Sequence, residues 1–135
     1  MTKNLDNDGL KSIVENYDIF YIDLWGVVHN GITLHKNAIE ALEEISKANK
    51  YYVLLTNAPR PNKTVNNFLE KMGMNKEIRE KVYSSGEAAL NYLRKNSLEE
   101  KFYHVGPPRD CLLYTSDAAD DSLRVDLGGR RIIKK

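Results

Sequence analysis

The chain has 135 residues, 20 Lys+Arg against 19 Asp+Glu, 41% hydrophobic residues and a formal net charge of +1, the composition of one ordinary globular domain. The balanced charge gives no electrostatic argument for nucleic acid or an anionic membrane as partner. The single cysteine, Cys111, excludes an internal disulfide and a Cys-based zinc site, and no apolar run approaches the roughly 20 residues of a membrane helix.

The first 16 residues are polar and lack the apolar centre of a signal peptide, which makes the cytoplasm the expected location. Ile19-Phe20-Tyr21-Ile22 is a β-branched and aromatic run ending at Asp23, the pattern of a buried strand. Gly26 and the Asn30-Gly31 pair predict a loop or tight hairpin directly after it. Ala38, Leu42, Ile45 and Ala48 recur at helical spacing, with Glu40, Glu43, Glu44 and Lys47 on the opposite face. Tyr51–Leu55 predicts a second strand, closed by Thr56-Asn57. After Pro59 and Pro61, the stripe Val65, Phe68, Leu69 and Met72 predicts a helix stopped by Gly73. Val82–Ser85 reads as a short strand, Ala88 to Leu93 as a helix, and Phe102–Val105 as a last strand before Gly106-Pro107-Pro108.

This β-α-β-α-β-α-β order predicts an α/β fold, a Rossmann-like parallel sheet flanked by helices. Right-handed crossovers bring the C-terminal strand ends, and with them Asp23, Thr56-Asn57 and Ser84-Ser85, to one edge, where open α/β sheets bind ligands. No glycine-rich nucleotide-binding motif occurs.

A carboxylate at a strand tip can coordinate Mg²⁺ and attack phosphorus to give an aspartyl-phosphate. A neighbouring hydroxyl and backbone N–H groups can hold phosphoryl oxygens. Each residue also has an ordinary reading: a strand-end Asp often caps a turn, and Thr-Asn often opens a loop.

The segments Tyr-Ile-Asp-Leu-Trp-Gly-Val-Val-His-Asn-Gly (21–31), Leu-Leu-Thr-Asn (54–57), Ser-Ser-Gly-Glu (84–87) and Tyr-His-Val-Gly (103–106) resemble the haloacid dehalogenase superfamily. They are closest to its class IIA branch of NagD-like and 4-nitrophenylphosphatase-like hydrolases, over roughly residues 13–110. The resemblance implies a phosphatase-like hydrolase acting on a small phosphorylated metabolite, with Asp23 as nucleophile. It further implies Thr56 and Asn57 on the phosphate, and Mg²⁺ held by the Asp23 carboxylate and the Trp25 carbonyl. Trp25 departs from the pattern, because phosphatases of the superfamily carry a second Asp there as general acid and base. Indole cannot take that role near neutral pH. His29 is a candidate substitute base, although a His beside Asn-Gly is more often a solvated turn residue. A non-catalytic binding or regulatory protein on the same scaffold is the alternative reading.

From Cys111 the strand–helix grammar ends. Cys111–Asp120 and Val125–Lys135 resemble the conceptual translation of a transposon-type sequencing adapter, with a variable index between them. The expected organisation is therefore 1–110 as the N-terminal part of a hydrolase core, without its cap domain or later motifs. Residues 111–135 are expected to be a non-native tail that packs poorly on the core, and the chain as written to be inactive.

Overall fold

The computed structural model describes residues 5–96, 102–105 and 125–127. It contains helix α1 (Leu5–Asp8), strand β1 (Ile19–Asp23), helix α2 (Lys36–Lys47), strand β2 (Tyr51–Thr56), helices α3 (Asn62–Lys71) and α4 (Lys76–Arg79), strand β3 (Val82–Ser84), helix α5 (Ser85–Asn96) and strands β4 (Phe102–His104) and β5 (Val125–Leu127). Two compact units result, one of Met1–Thr56 with Asn66–Tyr83, the other of Asn57–Val65 with Ser84–Lys135.

Strands β1, β2 and β3 form a three-stranded parallel sheet in that order. β1 and β2 run in register from Ile19 opposite Tyr51 to Asp23 opposite Leu55. The Leu54 N–H donates to the Lys81 carbonyl at 2.9 Å and ties β2 to the start of β3. Helix α3 ends at Gly73 as its sequence predicts, and α2 closes in the same manner. Asn49 (φ 55) follows α2, and Gly73 (φ 85) follows α3, each in the left-handed conformation that closes a helix. The Lys50 N–H then donates to the Ile45 carbonyl, and the Met74 N–H to the Leu69 carbonyl. Met74 and Leu69 are both buried, which supplies the apolar contact that accompanies such a terminus. Helix α4, which the sequence reading did not anticipate, is a single turn capped by the Asn75 side chain accepting from the Glu77 N–H.

The core of the first unit is built from Leu42 and Ile45 of α2, Tyr52 and Leu54 of β2, Leu69 of α3 and Val82 of β3. All three strand residues lie on one sheet face. Strand residues of the opposite face are exposed, which corrects the expectation of a buried β1: Ile19 is 45%, Tyr21 67% and Tyr51 75% exposed. A strand of a parallel sheet is buried on both sides only where helices cover both faces. A second correction concerns β4, expected to continue the first sheet. It pairs in parallel with β5 instead, Phe102 opposite Val125 and His104 opposite Leu127. β5 belongs to the segment expected to pack poorly, so a short β-prone triplet there satisfies the backbone of β4. Ile132 and Ile133 lie outside the described residues. No helix among the described residues is long and apolar enough to cross a membrane.

Candidate active site

Asp23 and Thr56 are the last residues of adjacent parallel strands, so both stand at the same edge of the sheet. Asp23 lies opposite Leu55, and Thr56 extends one residue beyond it. Their side chains alternate across the pleat and can share a ligand only beyond the strand tips. Asp23 is exposed and Thr56 half-buried; Asn57, next in the chain and first of the second unit, is exposed.

After Asp23 the chain alternates once more: Leu24 is buried, and Trp25 emerges 64% exposed. Leu24 anchors the segment through its carbonyl, which accepts from the N–H groups of Val28 (2.9 Å) and His29 (3.1 Å). The Gly26 N–H donates to the His29 carbonyl at 2.8 Å, which makes the compact turn at Gly26 (φ 77) that its missing side chain permits. Asn30 builds the next turn. Its Oδ1 accepts from the N–H groups of Ile32 (2.9 Å) and Thr33 (2.8 Å).

His29 departs from the solvated turn residue expected of it. It is 4% exposed, its ring meets Trp25 edge-on at 5.6 Å and Phe68 at 5.8 Å, and its Nδ1 accepts from the Gly31 N–H at 3.0 Å. That bond leaves the ring proton on Nε2 in the neutral form. Burial lowers its pKa, the charge of His35 lowers it further, and nearby Asp23 opposes both. The Nδ1 lone pair is therefore engaged, and His29 is poorly suited to be the substitute base.

Ser84, the end of β3, belongs to the second unit and is consumed by structure. Its Oγ donates to the Arg60 carbonyl and accepts from the Glu87 N–H at 3.0 Å. Its N–H donates to Asn62 Oδ1 (2.9 Å), while the Asn62 N–H donates to Glu87 Oε2 (2.9 Å). This is a helix-capping Ser-x-x-Glu arrangement whose carboxylate is redirected to Asn62. Gly86 sits so close to the Arg60 backbone that a Cβ there would collide with it. The roles of Arg60, Asn62 and Glu87 were missed from sequence, although the spacing of Ser84 and Glu87 carried the signal.

Asp23 and Trp25 offer hard oxygen donors, a carboxylate and a backbone carbonyl, suited in kind to Mg²⁺. Among the described residues no three His, Cys, Asp or Glu side chains gather as a metal cluster. Mg²⁺ tolerates so sparse a set, because it keeps waters and takes substrate phosphate oxygens.

A family model described as haloacid dehalogenase-like hydrolase matches residues 20–116. No curated protein matches the sequence. Among solved structures, the chain resembles a haloacid dehalogenase-like hydrolase from Brucella suis with 28% identity and a TM-score of 0.70. That match covers 96% of this chain and 45% of the other. A glycerol phosphate phosphatase from Mycobacterium tuberculosis, solved with magnesium, matches at 25% identity and a TM-score of 0.60, over 84% of this chain and 33% of that one. A 4-nitrophenylphosphatase from Thermotoga maritima shares the fold at 20% identity and a TM-score of 0.61, covering 90% and 48%. The chain thus spans less than half the length of these relatives.

Proposed function

The chain belongs to the haloacid dehalogenase-like hydrolases, and on that premise we propose that the whole protein carrying it is a class IIA phosphate-monoester hydrolase that uses Asp23 as nucleophile and Mg²⁺ as cofactor. The observation that supports this most is the placement of Asp23 at the tip of β1 beside Thr56 at the tip of β2. A carboxylate oxygen of Asp23 attacks phosphorus, the P–O bond to the organic group breaks, and the leaving oxygen takes a proton from water. Water then attacks the aspartyl-phosphate, releases inorganic phosphate and restores the carboxylate. Thr56, with Asn57 after it, donates hydrogen bonds to the phosphoryl oxygens. The Asp23 carboxylate and the Trp25 carbonyl would hold Mg²⁺, which would supply positive charge against the phosphate. The substrate is a small phosphorylated metabolite, and the setting cytoplasmic.

A second reading, a binding or regulatory protein on the same scaffold, is favoured by one observation. Neither Trp25 nor His29, whose Nδ1 is occupied, provides an acid or base in the segment after Asp23. Phosphate release from a panel of small phosphoesters by the whole protein, with Mg²⁺, separates the two. Hydrolysis abolished by Asp23→Asn supports the enzyme. Saturable phosphoester binding without turnover supports the second reading.

A further inference from the structure

Trp25 is the one tryptophan of the chain, and it is held in place while most of its surface faces solvent. Asp23, Leu24 and Trp25 alternate exposed, buried and exposed. The period of extended backbone therefore turns the indole to the same outward side as the Asp23 carboxylate. Two contacts orient the ring, and a third braces one of them. His29 packs edge-on at 5.6 Å with an interplanar angle of 90°, His29 is in turn braced by Phe68, and the indole lies against Gly31. A Cβ at Gly31 would stand 2.6 Å from Cη2 and Cζ3 of Trp25, so the glycine is the floor on which the ring rests. An isolated exposed apolar residue is common on protein surfaces. An indole braced by a buried imidazole and a side-chain-free backbone floor, two residues from a strand-tip carboxylate, is better placed to take a flat partner.

Leaving-group chemistry points the same way. No side chain between Asp23 and His35 offers a free acid: Trp25 does not titrate near neutrality, and Nδ1 of His29 accepts from Gly31. A phenolate is far less basic than an alkoxide and depends less on a donated proton, so an aryl ester suits a segment of this kind.

We propose that Trp25 is a specificity-determining platform that selects phosphate monoesters whose phosphate is joined to a planar aromatic group. This deepens the reading of Asp23 and Thr56 as a phosphoryl site and rests on it. The ester oxygen sits toward Asp23, and the ring of the organic group stacks on the indole. On cleavage the P–O bond electrons stay with the aryl oxygen, which leaves as phenolate.

The test uses the 135-residue chain in Mg²⁺ buffer, with phenyl phosphate, glycerol 3-phosphate and inorganic phosphate as probes. Calorimetry should show phenyl phosphate binding about two- to tenfold more tightly than glycerol 3-phosphate, the range of an aromatic stacking contact. Emission of the single tryptophan should shift saturably with phenyl phosphate only. Trp25→Leu should bring phenyl phosphate affinity down to that of glycerol 3-phosphate, and Trp25→Phe should restore most of the preference. Equal affinities for the two esters, or a preference that survives Trp25→Leu, would overturn the platform and leave the phosphoryl site standing. Failure of every probe, inorganic phosphate included, would overturn the phosphoryl reading and the platform with it.

Discussion

Replacing Ser84 by alanine removes a hydroxyl that is 1% exposed and makes two hydrogen bonds at once. Losing the bond from the Glu87 N–H removes the cap of α5, an effect of about 1 kcal/mol. Losing the bond to Arg60 leaves a carbonyl without that donor beside the closely packed Gly86, at a further cost of about 1–3 kcal/mol. The Ser84 N–H keeps its bond to Asn62, because that donor belongs to the backbone. The expected destabilisation is therefore about 2–4 kcal/mol, a large share of the stability of a small domain. Urea unfolding followed by circular dichroism measures it as a lower midpoint with an unchanged slope. A loss below about 0.5 kcal/mol, the level of an ordinary surface substitution, would show that Ser84 is not the joint between the 58–62 loop and α5.

Leu69→Ala empties a fully buried site and should cost about 2–5 kcal/mol in the same assay. Because the folded-state pKa of His29 lies below its ordinary 6.5, the unfolded chain binds the proton more readily. Stability should therefore fall as pH drops from about 6.5 toward the lowered folded value, seen as a falling Tm; His29→Gln should flatten that slope. The 135-residue chain should show no Mg²⁺-dependent turnover of 4-nitrophenyl phosphate above an Asp23→Ala control. Among the described residues no further His, Cys, Asp or Glu side chains gather with Asp23 as a metal cluster, and Trp25 supplies no proton; turnover abolished by that substitution would refute this.

The elements that the sequence made legible are those whose signals are local. Apolar spacing located α2 and α3, short apolar runs located β1 and β2, and Gly73 marked the end of α3. The edge shared by Asp23 and Thr56 followed from the parallel order of those strands. What was not legible depends on partners distant in the chain. The exposure of Ile19 and Tyr21 cannot be inferred from β1, since an apolar run reads alike whether or not a helix covers it. The choice of β5 as partner for β4 rests on backbone hydrogen bonds that side-chain pattern does not encode. His29 looked like a turn residue because Asn30 and Gly31 follow it, yet Phe68, far along the chain on α3, helps to bury it.

The role of Asp23 as nucleophile is tested most directly by trapping its product. The whole protein, turning over a phosphate monoester with Mg²⁺, is quenched in acid, reduced with borohydride and mapped by peptide mass spectrometry. An aspartyl-phosphate is reduced under these conditions to homoserine, whereas a free carboxylate is left intact. The account predicts homoserine at position 23 only; phosphate release with Asp23 recovered unmodified and the reduced or phosphorylated residue found elsewhere would contradict it.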